Sequence, residues 1–313
     1  MALEPVSADL VGTELPETTW TWGWRDAVLY GLGIGARPGD GALVPASEAT
    51  GDAGGAGDAG NDAGNDEGDL DFLFERRGPK VYPTFSVIPG MTAFNQVSKV
   101  VELELSRLLH GEQAITMHRP FPATGELTVK GRITEVWDKG KAAVIGVESQ
   151  LVDGEGLLAT THATLFARGY GGFGGERGPD TGDDNQPPDR EPDHVISDVV
   201  RPEQAALYRL SGDRVPLHID PEFARKAGYP GPFLHGLCTY GFVGRAALRA
   251  LCGNEPERLI SMTGRFADLV WMNDRITTKI WDLGSGQAVL VAETQDGAQV
   301  LTHGAVEYRP GAT

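Results

Sequence analysis

Asp213 and His218 stand five positions apart in the run Tyr208-Arg-Leu-Ser-Gly-Asp-Arg-Val-Pro-Leu-His-Ile-Asp-Pro-Glu-Phe-Ala224, with Pro216 between them. Proline fixes its own φ and stops a helix from continuing, so the chain must bend here and two proton-handling groups can converge. A carboxylate and an imidazole around one water can polarise it. One accepts the water's proton while the other supplies a proton to the carbon alpha to a thioester. The letters do not say which of the two is the base. Taken alone, the pair would more often be an Asx-turn and a satisfied surface histidine than a site.

Directly downstream, Gly231-Pro-Phe-Leu-His235-Gly236 opens an apolar stretch. Between Leu234 and Leu251 the apolar residues recur with a 3.6 period and small residues on one side, which predicts a helix packed closely against a sheet. The first N–H groups of a helix have no partner within it, and its dipole is positive there. Such a start suits an enolate oxygen that develops as water attacks a conjugated thioester. His235, beside Gly236, reads either as a helix-start hydrogen bond or as a contact behind the reacting pair.

Other reactive residues carry less. His110, His118, His162 and His303 lack metal-ligand spacing and read as core or surface residues. Cys238, on the predicted helix, reads as a small apolar filler and not as a nucleophile. With Cys252 as the only other cysteine, there is no disulfide framework and no zinc signature, as befits a reducing compartment. Gly169-Tyr-Gly-Gly-Phe-Gly satisfies GxGxxG, but a linker follows where a dinucleotide loop needs a helix; a tight turn is the better reading.

The net charge of −17 disfavours nucleic acid and anionic membrane as partners. An anionic substrate would likewise need local cations. Part of the surplus is local: Glu48, Asp52, Asp58, Asp62, Asp66, Glu67, Asp69 and Asp71 arrive with no Lys or Arg among them. The N-terminus has acid where a signal peptide is basic, and no apolar run is long enough to span a bilayer. A soluble, cytoplasmic chain is expected.

The chain reads as two similar halves. Phe85-Ser-Val-Ile-Pro-Gly-Met-Thr-Ala-Phe follows Tyr82-Pro83 as Leu234-His-Gly-Leu-Cys-Thr-Tyr-Gly-Phe follows Gly231-Pro232, and Gly156–Arg168 parallels Ala298–Arg309. Each half ends in an antiparallel meander. Its strands are Glu126–Trp137, Ala142–Val152 and Leu157–Arg168 in the first half, and Arg275–Asp282, Ala288–Gln295 and Val300–Arg309 in the second. Pro89-Gly90 stands where the first half's central helix should run, so that helix is expected to be shortened or lost. Two segments should not fold alone: a Gly/Ala/Asp insertion at about 37–69 and a linker around 174–193. The fold class is therefore α+β, a sheet wrapped around a helix twice over. The domains are 1–175, a linker 176–193, and 194–313.

Ser211-Gly-Asp-Arg-Val-Pro-Leu-His-Ile-Asp-Pro resembles Ser-Gly-Asp-x-Asn-Pro-Leu-His, the signature of type-2, (R)-specific enoyl-CoA hydratases of the MaoC-like family. The similarity extends through Leu234-His-Gly-Leu-Cys-Thr-Tyr-Gly-Phe, Asp26-Ala-Val-Leu-Tyr-Gly-Leu-Gly-Ile-Gly-Ala, Pro83-Thr-Phe-Ser-Val-Ile-Pro-Gly, Leu109-His-Gly-Glu-Gln and Arg168-Gly-Tyr-Gly-Gly-Phe-Gly-Gly. It covers nearly the whole chain apart from insertion and linker. The resemblance implies a double hotdog with a catalytic C-terminal half and an N-terminal half that helps cover the acyl chain. It makes Asp213 and His218 the catalytic pair, the Gly236 N–H the thioester-oxygen donor, and Ser211, Gly212, His235 and Leu237 the substrate-binding residues.

The implied reaction is hydration of trans-2-enoyl-CoA to (3R)-3-hydroxyacyl-CoA by a hydro-lyase that needs no metal, nicotinamide or flavin. The partner is an acyl-CoA; pairing of two chains into a homodimer stays open. Two departures stand out. Val215 replaces the signature's Asn and can offer no side-chain hydrogen bond. This leaves room for a dehydratase acting on a carrier-protein-bound or unusual acyl thioester, or for a non-catalytic acyl-thioester-binding protein. Trp271-Met-Asn-Asp stands where relatives tend to have a Pro-Gly turn, and should be structural.

Overall fold

A computed structural model describes residues 4–39, 68–104, 107–180, 182 and 184–311. The expected Gly/Ala/Asp insertion falls mostly on 40–67, outside the described residues. Its two ends are described, and they are ordered. Pro38 pairs with Gly68 in an antiparallel bridge, and Arg37 and Asp69 exchange two hydrogen bonds.

Among the described residues, ten strands form one antiparallel sheet in the order β1-β3-β4-β5-β2-β7-β10-β9-β8-β6. In chain order they are β1 Glu14–Trp22, β2 Leu108–Met117, β3 Gly125–Asp138, β4 Ala142–Asp153, β5 Gly156–Arg168, β6 His194–Val199, β7 Leu259–Phe266, β8 Arg275–Gly284, β9 Gln287–Thr294 and β10 Gln299–Tyr308. Each half contributes five strands, and each meander falls where the alternating pattern predicts it. In β3, Leu127, Val129 and Ile133 are buried while Lys130 and Arg132 between them are exposed, because successive side chains point to opposite faces. The halves meet at β2 and β7, paired from Glu112↔Arg265 to Thr116↔Ser261. This is a double hotdog.

The sheet wraps two helices. The long one, Gly236–Cys252, is buried along most of its length and ends at Gly253, whose left-handed φ of 61° suits glycine. Its small residues face both the sheet, where a Cβ at Gly236 would lie 3.3 Å from the Phe266 ring, and the first half. A Cβ at Gly241 would lie 2.2 Å from Ile34 Cγ2, and one at Gly244 2.4 Å from Thr84 Cγ2. The short helix, Val87–Gln96, follows the 3-10 turn Pro83–Ser86. It is shortened, not lost: Pro89 lies in the first turn, where no intrahelical N–H is required. Gly90 lets it approach β5, since a Cβ there would meet Thr161 Oγ1 at 2.4 Å.

Two features escaped the sequence reading. Arg245, in the middle of the long helix and 4% exposed, donates to Asp69 at 2.9 Å, to Asp198 of β6, and to the Ile34 carbonyl at 3.3 Å. Asp69 is thus a buried ion-pair partner and not part of a solvated acidic tract; Asp71 likewise meets Arg77 and Lys80. The linker, with no helix or strand among its described residues, is strapped to the second half: Trp281 Nε1–H donates to the Arg190 carbonyl at 2.8 Å, Arg190 to the Asp282 carbonyl at 2.9 Å, and Asn185 to the His303 carbonyl at 3.1 Å. No helix among the described residues is long and apolar enough to cross a membrane.

Candidate active site

The loop between β6 and the long helix carries the predicted pair. Gly212, at φ 146°, turns the chain out of the 3-10 turn Arg209–Ser211, a backbone conformation open to glycine. Pro216 then starts a second 3-10 turn that ends at His218. The turns fold Asp213 and His218 back toward the start of the long helix. A carboxylate oxygen of Asp213 and ring nitrogens of His218 and His235 all lie within 4.8 Å of one another. Asp213 Oδ1 accepts the Val215 N–H at 3.2 Å, so the Asx-turn is present as well as the convergence.

The tautomers follow from the partners. His218 Nδ1 lies 2.9 Å from the Phe233 carbonyl. A carbonyl oxygen only accepts, so Nδ1 carries the hydrogen and Nε2 keeps a free lone pair. Burial lowers the His218 pKa below its ordinary value, against opposing contributions from that carbonyl and from Asp213. The ring is therefore neutral near pH 7 and fit to accept a proton.

His235 is buried. Its Nε2–H donates to the Asp213 main-chain oxygen at 3.2 Å, and its ring stacks on His218 with centroids 3.8 Å apart and planes at 28°. Desolvation, aided by His218, takes its pKa down to about 2. One carboxylate and two imidazoles would also be a metal donor set. However, lone pairs lie in their ring planes, and two stacked rings cannot both aim in-plane at one ion.

The long helix starts abruptly after His235, whose backbone is extended at φ −62° and ψ 137°. The first intrahelical bonds run from the Cys238 and Thr239 N–H groups to the His235 carbonyl. The N–H groups of Gly236 and Leu237 precede these bonds. Gly236 lies against the Phe266 ring, 3.3 Å from where its Cβ would stand. Phe266 in turn meets His110 edge-on at 5.1 Å, and His110 stacks on Phe94 of the short helix at 5.1 Å. An aromatic column thus runs from the helix start into the first half.

The family comparisons divide the chain as its two halves do. Residues 62–169 match the MFE-2 hydratase 2 N-terminal domain, and residues 183–302 match the MaoC like domain. Enoyl-CoA hydratase ChsH3 of Mycobacterium tuberculosis is 36% identical over 95% of this chain and 97% of its own. The 3-hydroxyacyl-thioester dehydratase Y of the same organism is 39% identical over 99% of this chain and 100% of its own. The chain belongs to the MaoC-like, hydratase 2 family. Among solved structures, a MaoC-like dehydratase from Phytophthora capsici superposes with a TM-score of 0.78 at 29% identity, covering 97% of this chain and 98% of that one.

Within this MaoC-like frame the predicted residues divide. Asp213, His218 and His235 converge, and Gly236 opens the helix beside them. The Leu237 side chain is buried in the core, so only its N–H is available for binding. Ser211 Oγ is buried without a partner. Val215 is 47% exposed; its side chain is on the rim, while its main chain holds Asp213. Trp271–Asp274 forms a turn in which Asn273, at φ 74°, takes the glycine's role, with the Trp271 N–H donating to Asp274 at 2.7 Å. The Gly169–Gly174 run is a turn: Gly172 and Gly174 donate to the Asp138 carboxylate at 2.8 Å each, lowering its pKa. The sequence reading missed His110 and Phe266 as neighbours of the helix start. Leu109-His-Gly-Glu-Gln, part of the resemblance, was the available signal for His110.

Proposed function

We propose that the protein catalyses reversible hydration of trans-2-enoyl-CoA to (3R)-3-hydroxyacyl-CoA. The observation that carries this reading is the convergence of the Asp213 carboxylate with a His218 ring whose tautomer leaves Nε2 free. His218 takes a proton from water as the water oxygen bonds to C3. The C2–C3 π electrons move onto the thioester oxygen, which the Gly236 N–H holds. As the enolate collapses, C2 takes the proton back from the imidazolium. Asp213 orients the water and stabilises the imidazolium. One water is thus added, with no oxidant or reductant.

The relatives named as enoyl-CoA hydratase and 3-hydroxyacyl-thioester dehydratase catalyse the two directions of such chemistry, which supports this assignment. In the proposed division, residues 194–313 are the catalytic repeat and residues 1–175 the repeat whose Phe94 and His110 extend the apolar column toward the acyl tail. Incubation with trans-2-enoyl-CoA and chiral separation of the product tests the reading. Formation of the 3R alcohol is expected; a 3S alcohol, or no alcohol, overturns it.

Val215 and the dehydratase relative favour one second reading, dehydration of an acyl group held on a carrier protein. Equal turnover on carrier-protein and CoA thioesters would support it, whereas strong preference for CoA would remove it. A non-catalytic acyl-thioester binder would bind acyl-CoA in calorimetry and release no product over hours.

A further inference from the structure

His235 is 1% exposed, so its side chain is poorly placed to bind substrate, yet it touches every part of the reacting constellation. Its N–H reaches the main chain of Asp213. Its ring face covers His218. Its own carbonyl accepts the first helical bonds, and the next residue is Gly236. On its other side the Tyr208 ring packs at 5.0 Å.

We propose that His235 is the positioning residue of this site: its N–H clamps the Asp213 loop to the helix start, and its ring keeps water off one face of His218. The proposal rests on the reading of Asp213 and His218 as the hydrating pair. Several observations join here. Among the described residues the clamp is the one hydrogen bond that the His235 ring makes, and Nδ1 is buried with no partner. A buried polar atom without a partner is destabilising, so this ring is kept at a cost that an apolar side chain would avoid. The groups facing His218 are the Asp213 carboxylate, the Phe233 carbonyl and ring, and the His235 ring. The first two favour its protonated form, and exclusion of water opposes them. The groups facing His235 are His218, Arg209, Tyr208 and the Asp213 carbonyl. The Asp213 carboxylate also lies within 4.8 Å of a His235 ring nitrogen, but desolvation outweighs it and this ring stays neutral.

Two substitutions separate the functions. His235→Gln keeps an N–H donor but removes the ring face; His235→Phe keeps the flat ring but removes the donor. Each is assayed for kcat, KM and the pH profile of kcat/KM, and His218 is titrated by NMR in the ligand-free enzyme. In the Gln variant the His218 midpoint rises toward about 6.5, and the acidic limb of the rate profile moves with it. In the Phe variant the midpoint stays low while kcat falls by about 100-fold with little change in KM, as displacement of a reacting group would cause.

An unmoved midpoint in the Gln variant, or undiminished kcat in the Phe variant, overturns the corresponding half of the proposal. If the Gln variant fails to fold, His235→Asn replaces it as a shorter donor without the ring; if the Phe variant fails, His235→Leu, which lacks both, is compared with the Gln variant, and a kcat no lower than that of Gln overturns the clamp. Failure of the underlying reading looks different. There the wild-type His218 midpoint would have no counterpart in the wild-type rate profile.

Discussion

The two halves share a strand order and a helix, but only one builds a site at the helix start. Where the second half has His235 and Gly236, the first has Ser86 and Val87 by the same alignment of repeats. Ser86 Oγ donates to the Pro83 carbonyl at 2.8 Å, and the Val87 N–H donates to Thr84 and Phe85 carbonyls. The short helix grows out of a 3-10 turn and consumes its own donors; the long one begins from extended backbone and leaves two free. Farther upstream, Asp26-Ala-Val-Leu-Tyr-Gly-Leu-Gly-Ile-Gly35 parallels Gln204-Ala-Ala-Leu-Tyr-Arg-Leu-Ser-Gly-Asp213, and the equivalent rings Tyr30 and Tyr208 meet at 6.1 Å. Asp213 therefore corresponds to Gly35. At φ +84°, a Cβ on Gly35 would lie 2.3 Å from the Phe242 ring. The first half has given that position to packing against the second half's helix.

The largest effect expected of breaking this contrast is on stability. Arg245 aligns with Gln96 of the short helix, and it alone of the two joins the halves through buried charge. Arg245→Gln leaves Asp69 and Asp198 without their cation, and should cost about 3–5 kcal/mol. Urea unfolding checks this; a loss under 1 kcal/mol would show that the pair is expendable.

Gly35→Ala should cost roughly 2–4 kcal/mol through left-handed backbone strain and overpacking against Phe242. Activity per folded molecule should remain. Thermal melts with parallel hydration assays measure both, and an unchanged melt would remove the packing explanation for the missing carboxylate.

The buried histidines, by contrast, behave alike in both halves. His110 in the first half is held down to about 4 by desolvation, while His235 and His218 in the second half are also lowered. The unfolded chain then binds more protons than the folded one below about pH 6.5, so stability falls as pH drops from there toward 4. Each fully shifted histidine contributes up to about 1.4 kcal/mol per pH unit. His110→Phe should flatten the slope between pH 6.5 and 5 by about that amount in urea titrations. An identical slope would mean that His110 titrates normally.

The smallest effect is expected at Val215. Its main-chain N–H already holds Asp213, and its side chain is on the rim, so Val215→Asn should raise kcat by less than about 10-fold. A far larger gain would reveal a site impaired by valine.

Much of this was legible in the letters because it rests on local rules. Strand alternation gave six strands nearly to the residue, and Gly and Pro marked the turns around Asp213 and His218. What escaped depends on distant partners. β2 and β7 owe their places to each other, Arg245 to Asp69 and Asp198, and no local pattern announces either pairing. Pro89 misled for a positional reason: a proline in a first turn is permitted, and only the preceding 3-10 turn shows that this is where it stands. The linker looked unstructured because its order comes from Trp281, Asp282 and His303, all far along the chain.

The central claim is that Asp213 and His218 act together on one water. The most direct measurement is the hydration rate of trans-2-enoyl-CoA by the Asp213→Asn, His218→Ala double variant, followed as loss of enoyl-thioester absorbance alongside a melt that shows it folded. A fall of about 100- to 10,000-fold is predicted, the usual worth of general acid–base catalysis. A folded double variant that hydrates at the wild-type rate would contradict the account.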